Sequence, residues 1–80
     1  SKAALAHVNK VLDLDSLHRN ALHIRAVISN KDNPQQSIKD LNNLIKLDPT
    51  NLLYITQRAI ISSEMNDFEK AFLDFQKVLQ

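Results

Sequence analysis

The chain of 80 residues contains no glycine, no cysteine, no tryptophan and only two prolines. Without glycine there is no phosphate-cradling loop of the usual kind, and little room for tight hairpins. With so few breakers the backbone is free to form helices. The absence of cysteine removes disulfides and thiolate chemistry, which fits a reducing compartment. Neither sign of charge dominates: ten basic and nine acidic residues leave a formal net charge of +1. Electrostatics therefore gives no reason to expect nucleic acid or an anionic membrane. Long apolar runs are missing too, since Leu52-Leu53-Tyr54-Ile55 is far too short to span a bilayer and no signal peptide is visible. One small cytoplasmic domain, with no membrane insertion, is the default expectation.

The residues that carry site chemistry are sparse. His18 and His23 are five apart and share no helix face, and His7 lies in another segment. A zinc site needs three or four converging ligands. Asp13-x-Asp15 begins like a calcium loop but lacks its glycine and closing glutamate. No nucleophile with a neighbouring base can be assembled from the spacings. The expectation is no enzyme, no metal and no cofactor.

What the chain does have is periodicity. In residues 37–51, Ile38, Leu41, Leu44 and Ile45 recur at helical spacing and form one apolar stripe. Leu47 closes it, Pro49 cannot continue it, and Asn51 is suited to cap the next helix. Leu14-Asp15-Ser16 has the same cadence as Leu47-Asp48-Pro49, 33 residues earlier. Arg25-Ala26-Val27-Ile28-Ser29 matches Arg58-Ala59-Ile60-Ile61-Ser62 at the same offset, and Gln76-Lys77-Val78-Leu79 echoes Asn9-Lys10-Val11-Leu12 at an offset of 67. Asn33 followed by Pro34 reads as a cap and first helical turn, and Asp67 as a further cap. The punctuation predicts a helix ending near Leu14, one from about His18 to Asn30, one from Pro34 to Leu47, one from Leu52 to Met65 and one from Phe68 to Leu79. A period of 33 to 34 residues with two helices each is a helical-repeat signature. Helix pairs of this size bury their faces only by stacking on neighbours.

The chain resembles the tetratricopeptide repeats. The resemblance rests on small residues at helix contacts (Ala4, Ser37 and Ala71, with Ala26 and Ala59) and on large ones at Val8, Leu41 and Phe75, then Val11, Leu44 and Val78. Asn66-Asp67-Phe68-Glu69-Lys70-Ala71 is similar to the family's Gly-Asp-Tyr-x-x-Ala turn, with asparagine for glycine, and Leu47-Asp48-Pro49-Thr50-Asn51 to its ending. Departures are an alanine for the first helix's glycine, Ser29 or Ser62 for an aromatic, and Leu22 or Ile55 for the leading aromatic. The competing pentatricopeptide repeat, an RNA reader, fits neither the Leu-Asp-Pro ending nor the neutral charge. The resemblance implies an all-α, right-handed α-solenoid of about five helices in antiparallel pairs. It divides the chain into a second helix over 1–15, a full repeat over 16–49 and another over 50–80, cut from a longer array or pairing with itself through its ends.

In the family the first helices line a concave groove that binds a peptide or helix of a partner protein. The resemblance places that groove at Asn20, His23, Ile24, Val27, Asn30 and Lys31, then Leu53, Thr56, Gln57, Ile60, Ser63 and Glu64. The alternative is that Ile24, Val27 and Ile60 are core between helices. The clamp of Lys, Arg and Asn that some members use for acidic C-terminal tails is absent, because Ile24, Gln57 and Leu53 stand at its sites. Arg25 and Arg58 occupy positions where many repeats have leucine, with Asp40 and Asp74 one helix on, which predicts ion pairs Arg25–Asp40 and Arg58–Asp74. The final helix holds all three phenylalanines, so Phe68, Phe72, Phe75 and Leu79 form a candidate self-association surface and a homo-oligomer is the alternative role.

Overall fold

A computed structural model describes residues 2–80. They fold into five α-helices with no strand among them: α1 (Lys2–Leu14), α2 (Arg19–Ser29), α3 (Pro34–Leu47), α4 (Leu52–Glu64) and α5 (Phe68–Leu79). The boundaries follow from local chemistry. Backbone N–H groups in the first turn of a helix lack intrahelical partners, and a side-chain acceptor just before the helix satisfies one of them. Asn33 accepts from Gln36 N at 3.3 Å, Asn51 from Leu53 N at 3.0 Å and Asp67 from Lys70 N at 3.5 Å. His18, which the sequence reading puts at the start of a helix, instead caps α2 from outside it, its Nδ1 accepting from Ala21 N at 3.2 Å.

A chain without glycine must end its helices another way, and the end of α4 shows how. Asn66 is the one described residue with positive φ, at 63°. Asn66 N donates to Ser63 O at 3.0 Å and Asp67 N to Ser62 O at 2.8 Å. These two bonds are the Schellman pattern, which needs a left-handed residue just past the helix. Asparagine tolerates that conformation better than other residues with a Cβ. Because Asp67 then caps α5, two residues close one helix and open the next.

Each helix packs on its chain neighbours alone: α1 on α2, α2 on α3, α3 on α4, α4 on α5. The result is a thin slab with principal extents of 36 × 24 × 13 Å. Val8 and Leu12 of α1, Ala21, Leu22 and Ala26 of α2, Leu41 and Leu44 of α3 and Ile61 of α4 form its core. Small residues let the axes approach: Ala26, Ala59, Ser37 and Ala71 are all buried. Ser37 keeps its hydroxyl in this close contact by donating to Ala26 O at 2.6 Å. No helix among the described residues is long and apolar enough to cross a membrane.

Both expected ion pairs form, and each is part of a larger clamp. Arg25 donates Nε and Nη2 to the two carboxylate oxygens of Asp40 at 2.8 and 2.7 Å, while its Nη1 reaches back to Asn9 Oδ1 at 3.0 Å. Arg58 repeats the arrangement with Asp74 at 2.8 and 2.8 Å and Asn42 Oδ1 at 2.9 Å. One guanidinium thus ties the helix before it to the helix after it. Asn9 and Asn42 lie 33 residues apart, so the amide is periodic along with the arginine. The Asp40 side chain is only 1% exposed, and its Oδ1 also accepts from Gln36 Nε2 at 3.2 Å. The hydrogen bond to Asp40 raises the pKa of Arg25 against the opposing effect of its own partial burial, and Asp74 does the same for Arg58. A raised pKa on a basic group contributes stability that is fully present below the ordinary guanidinium value and is lost only above it. The arginine charges therefore hold the clamps across the whole neutral range.

Removing one partner of such a pair strands the other charge. Asp40→Ala is expected to cost about 3–5 kcal/mol in urea unfolding followed by circular dichroism, and Arg25→Met with Asp40→Leu far less than that. A single-mutant cost below about 1 kcal/mol would place the pair with ordinary surface ion pairs.

Candidate functional site

Helices α2 and α4 are not consecutive, yet their side chains meet over α3. His23 and Gln57 approach at 3.2 Å between a ring nitrogen and Oε1, and the His23 ring sits edge-on to Tyr54 with centroids 5.6 Å apart at 72°. One turn further along, Val27 and Asn30 of α2 and its end face Gln57 and Ile60 of α4 across a hollow of about 230 Å³. Its floor is Ala26, Leu41 and Ile61, all buried. An adjoining hollow of about 270 Å³ takes in Asn30, Lys31 and Glu64 with Pro34 and Met65.

Exposure bears on whether the aliphatic residues here are core between helices. Ile24 is 48% exposed, Val27 57%, Leu53 53% and Ile60 48%, so none of them is interior core. Their chain neighbours Ala26 and Ile61 are buried beneath them. Of the other expected groove residues, Asn20 is exposed and Ser63 half-buried, and neither lines a hollow described here. Thr56 turns its hydroxyl back onto Leu52 O at 2.7 Å, a bond within its own helix. Tyr54, absent from the sequence expectation, belongs with the set through His23; its spacing of three from Gln57 on one helix face is the signal that marks it.

A larger hollow lies elsewhere. A trough of about 630 Å³ runs between α3 and α5 over α4, lined among others by Asn42, Arg58, Asp74 and Lys77. A smaller one of about 390 Å³ occupies the equivalent place one repeat earlier, lined by Asn9, Arg25 and Gln36. Both are walled by the clamps, whose donors and acceptors already serve one another. They are seams left by regular stacking, and the α2–α4 hollow has the better claim to a ligand because its apolar wall faces water unsatisfied. Among the described residues no three His, Asp or Glu side chains converge on one point. Asp15 is occupied in a turn, where it accepts from Leu17 N at 3.3 Å. No family model matches the chain, and no curated protein or solved structure matches it.

The exposure pattern has a direct consequence for stability. Ile60→Ser is expected to change the unfolding free energy by less than about 1 kcal/mol, as for an exposed residue, whereas Ile61→Ala opens the core and costs about 2–5 kcal/mol. Equal costs at the two positions in chemical denaturation would return Ile60 to the core.

Proposed function

We propose that the chain is a tetratricopeptide-like module that binds a peptide or helix of a partner protein along the face carried by α2 and α4. In this reading it is a scaffold or adaptor without chemistry of its own, set in the cytoplasm. Its helices continue a right-handed superhelical path in which α2 and α4 line the inner side, and the units are 1–15, 16–49 and 50–80. The recurrence of a whole clamp, residue for residue at 33 to 34 positions, supports a repeat over a unique bundle.

The observation that carries the binding role is the half-exposed wall of Val27 and Ile60 above a buried floor. An apolar strip edged by Asn30, Gln57 and His23 suits a segment that inserts aliphatic or aromatic anchors and finds hydrogen bonds at the rim. The mild charge of the face argues against a strongly acidic or basic ligand: Lys31 and Glu64 share one end and offset each other.

The test is a random-peptide display selection against the folded chain. Selected peptides should shift the amide resonances of Val27, Gln57 and Ile60, and Val27→Asp or Ile60→Asp should weaken them at least about tenfold with the unfolding midpoint unchanged. Peptides that perturb only residues outside α2 and α4 would refute the groove.

A further inference from the structure

We propose that the outer face of α5 is a docking surface for a partner helix of the α2 and α4 kind, one that presents an arginine to Gln76. The inference is independent of the groove and rests on a comparison of the molecule with itself. Helix α1 touches only α2, so α2 is what buries Val8 and Leu12, each 7% exposed. Along α5, at an offset of 67, the same positions are Phe75 and Leu79, which are 37% and 84% exposed. Phe72 stands where α1 has Leu5 and α3 has Ile38, and it too is exposed. With Phe68 these make a stripe at spacings of four, three and four residues, one continuous helix face. Helix α5 packs on α4 alone, and that contact, along the adjoining side, buries Ala71 and Asp74.

The second element is polar. Wherever an arginine-bearing helix lies on the preceding helix, an amide oxygen of that helix receives its Nη1: Asn9 from Arg25 at 3.0 Å, Asn42 from Arg58 at 2.9 Å. The third amide in the series is Gln76, exposed on α5. It is one methylene longer than asparagine, and the stripe beside it is bulkier, phenylalanine at 72 and 75 against Leu5 and Val8 or Ile38 and Leu41. A helix lifted outward by larger side chains needs a longer amide to meet its guanidinium. The face thus carries both the apolar stripe and the specific acceptor that this fold uses twice elsewhere.

The occupant is a partner helix and not a second folded copy. In the folded chain Arg25 and Arg58 are held between neighbours on both sides, so a copy has no arginine-bearing helix to offer. The chemistry of the partner follows from α2 and α4. It needs aliphatic residues on the face that meets the stripe and, from that same face, an arginine to reach Gln76, as Arg25 reaches Asn9 and Arg58 reaches Asn42.

A synthetic peptide with the sequence of residues 51–65, stapled on its outward face so that helix formation is not limiting, tests this by fluorescence anisotropy against the intact chain. Binding is expected, weakened at least about tenfold by Phe72→Ser or Leu79→Ser in the chain and about tenfold by Gln76→Ala, with a similar loss for Arg58→Gln in the peptide. Because Phe72 and Leu79 are 62% and 84% exposed in the folded chain, with α4 in place, their effect separates docking on the outer face of α5 from exchange with the chain's own α4. No binding at millimolar peptide, or binding indifferent to Phe72 and Gln76, would overturn the proposal. So would a dimer of the chain alone in sedimentation that Phe72→Ser dissolves, since the face would then belong to a second copy.

Discussion

Two guanidinium groups organise this molecule. A helix of eleven to fourteen residues is marginal alone, and burial against its neighbours must select one arrangement from many. Leucine against alanine is permissive about rotation and register. An arginine that meets a carboxylate through two parallel bonds and an amide through a third is not, because its planar fork accepts few geometries. Arg25 and Arg58 fix α1 to α2 to α3 and α3 to α4 to α5 in turn. Helix α3 takes part in both, through Asp40 and Asn42, and so carries the register from one half to the other.

Burying these charges is justified by completeness. A carboxylate as buried as that of Asp40 would be costly with an unfilled oxygen. Arg25 and Gln36 fill both, and no buried side-chain nitrogen or oxygen among the described residues lacks a partner. The small residues around the clamps serve the same end. Ser37 and Ala26 bring α2 and α3 close enough for a short Asp to reach Arg, where larger side chains would hold the helices apart.

How much of this the sequence announces depends on whether the cause is local. Asn33, Asn51 and Asp67 are legible as caps because a cap is decided within four residues. The Arg–Asp pairs are legible because opposite charges recur in consecutive helices, 15 residues apart in the first pair and 16 in the second. His18 as a cap is not, since an imidazole seldom takes that place. Asn9 and Asn42 also escape, although their spacing of 33 equals that of the arginines, because their role depends on a helix packed against them. The exposure of Val27 and Ile60 is beyond periodicity altogether. Residues 59–61 are all apolar, and only the placement of α3 decides that Ala59 and Ile61 turn inward and Ile60 outward.

Because the helices pack in chain order, with only the His23 contacts to Tyr54 and Gln57 described between α2 and α4, the packing of the fold closes mostly short loops. The entropy of loop closure, which rises with the length of chain enclosed, stays near its minimum at each step. Ordering can begin at any pair and spread either way, with no single nucleus that all routes must visit. The same arrangement means that a strained or substituted helix at one end leaves the far end's packing nearly untouched. Surface chemistry on α5 can therefore vary while the floor beneath Val27 and Ile60 stays as it is.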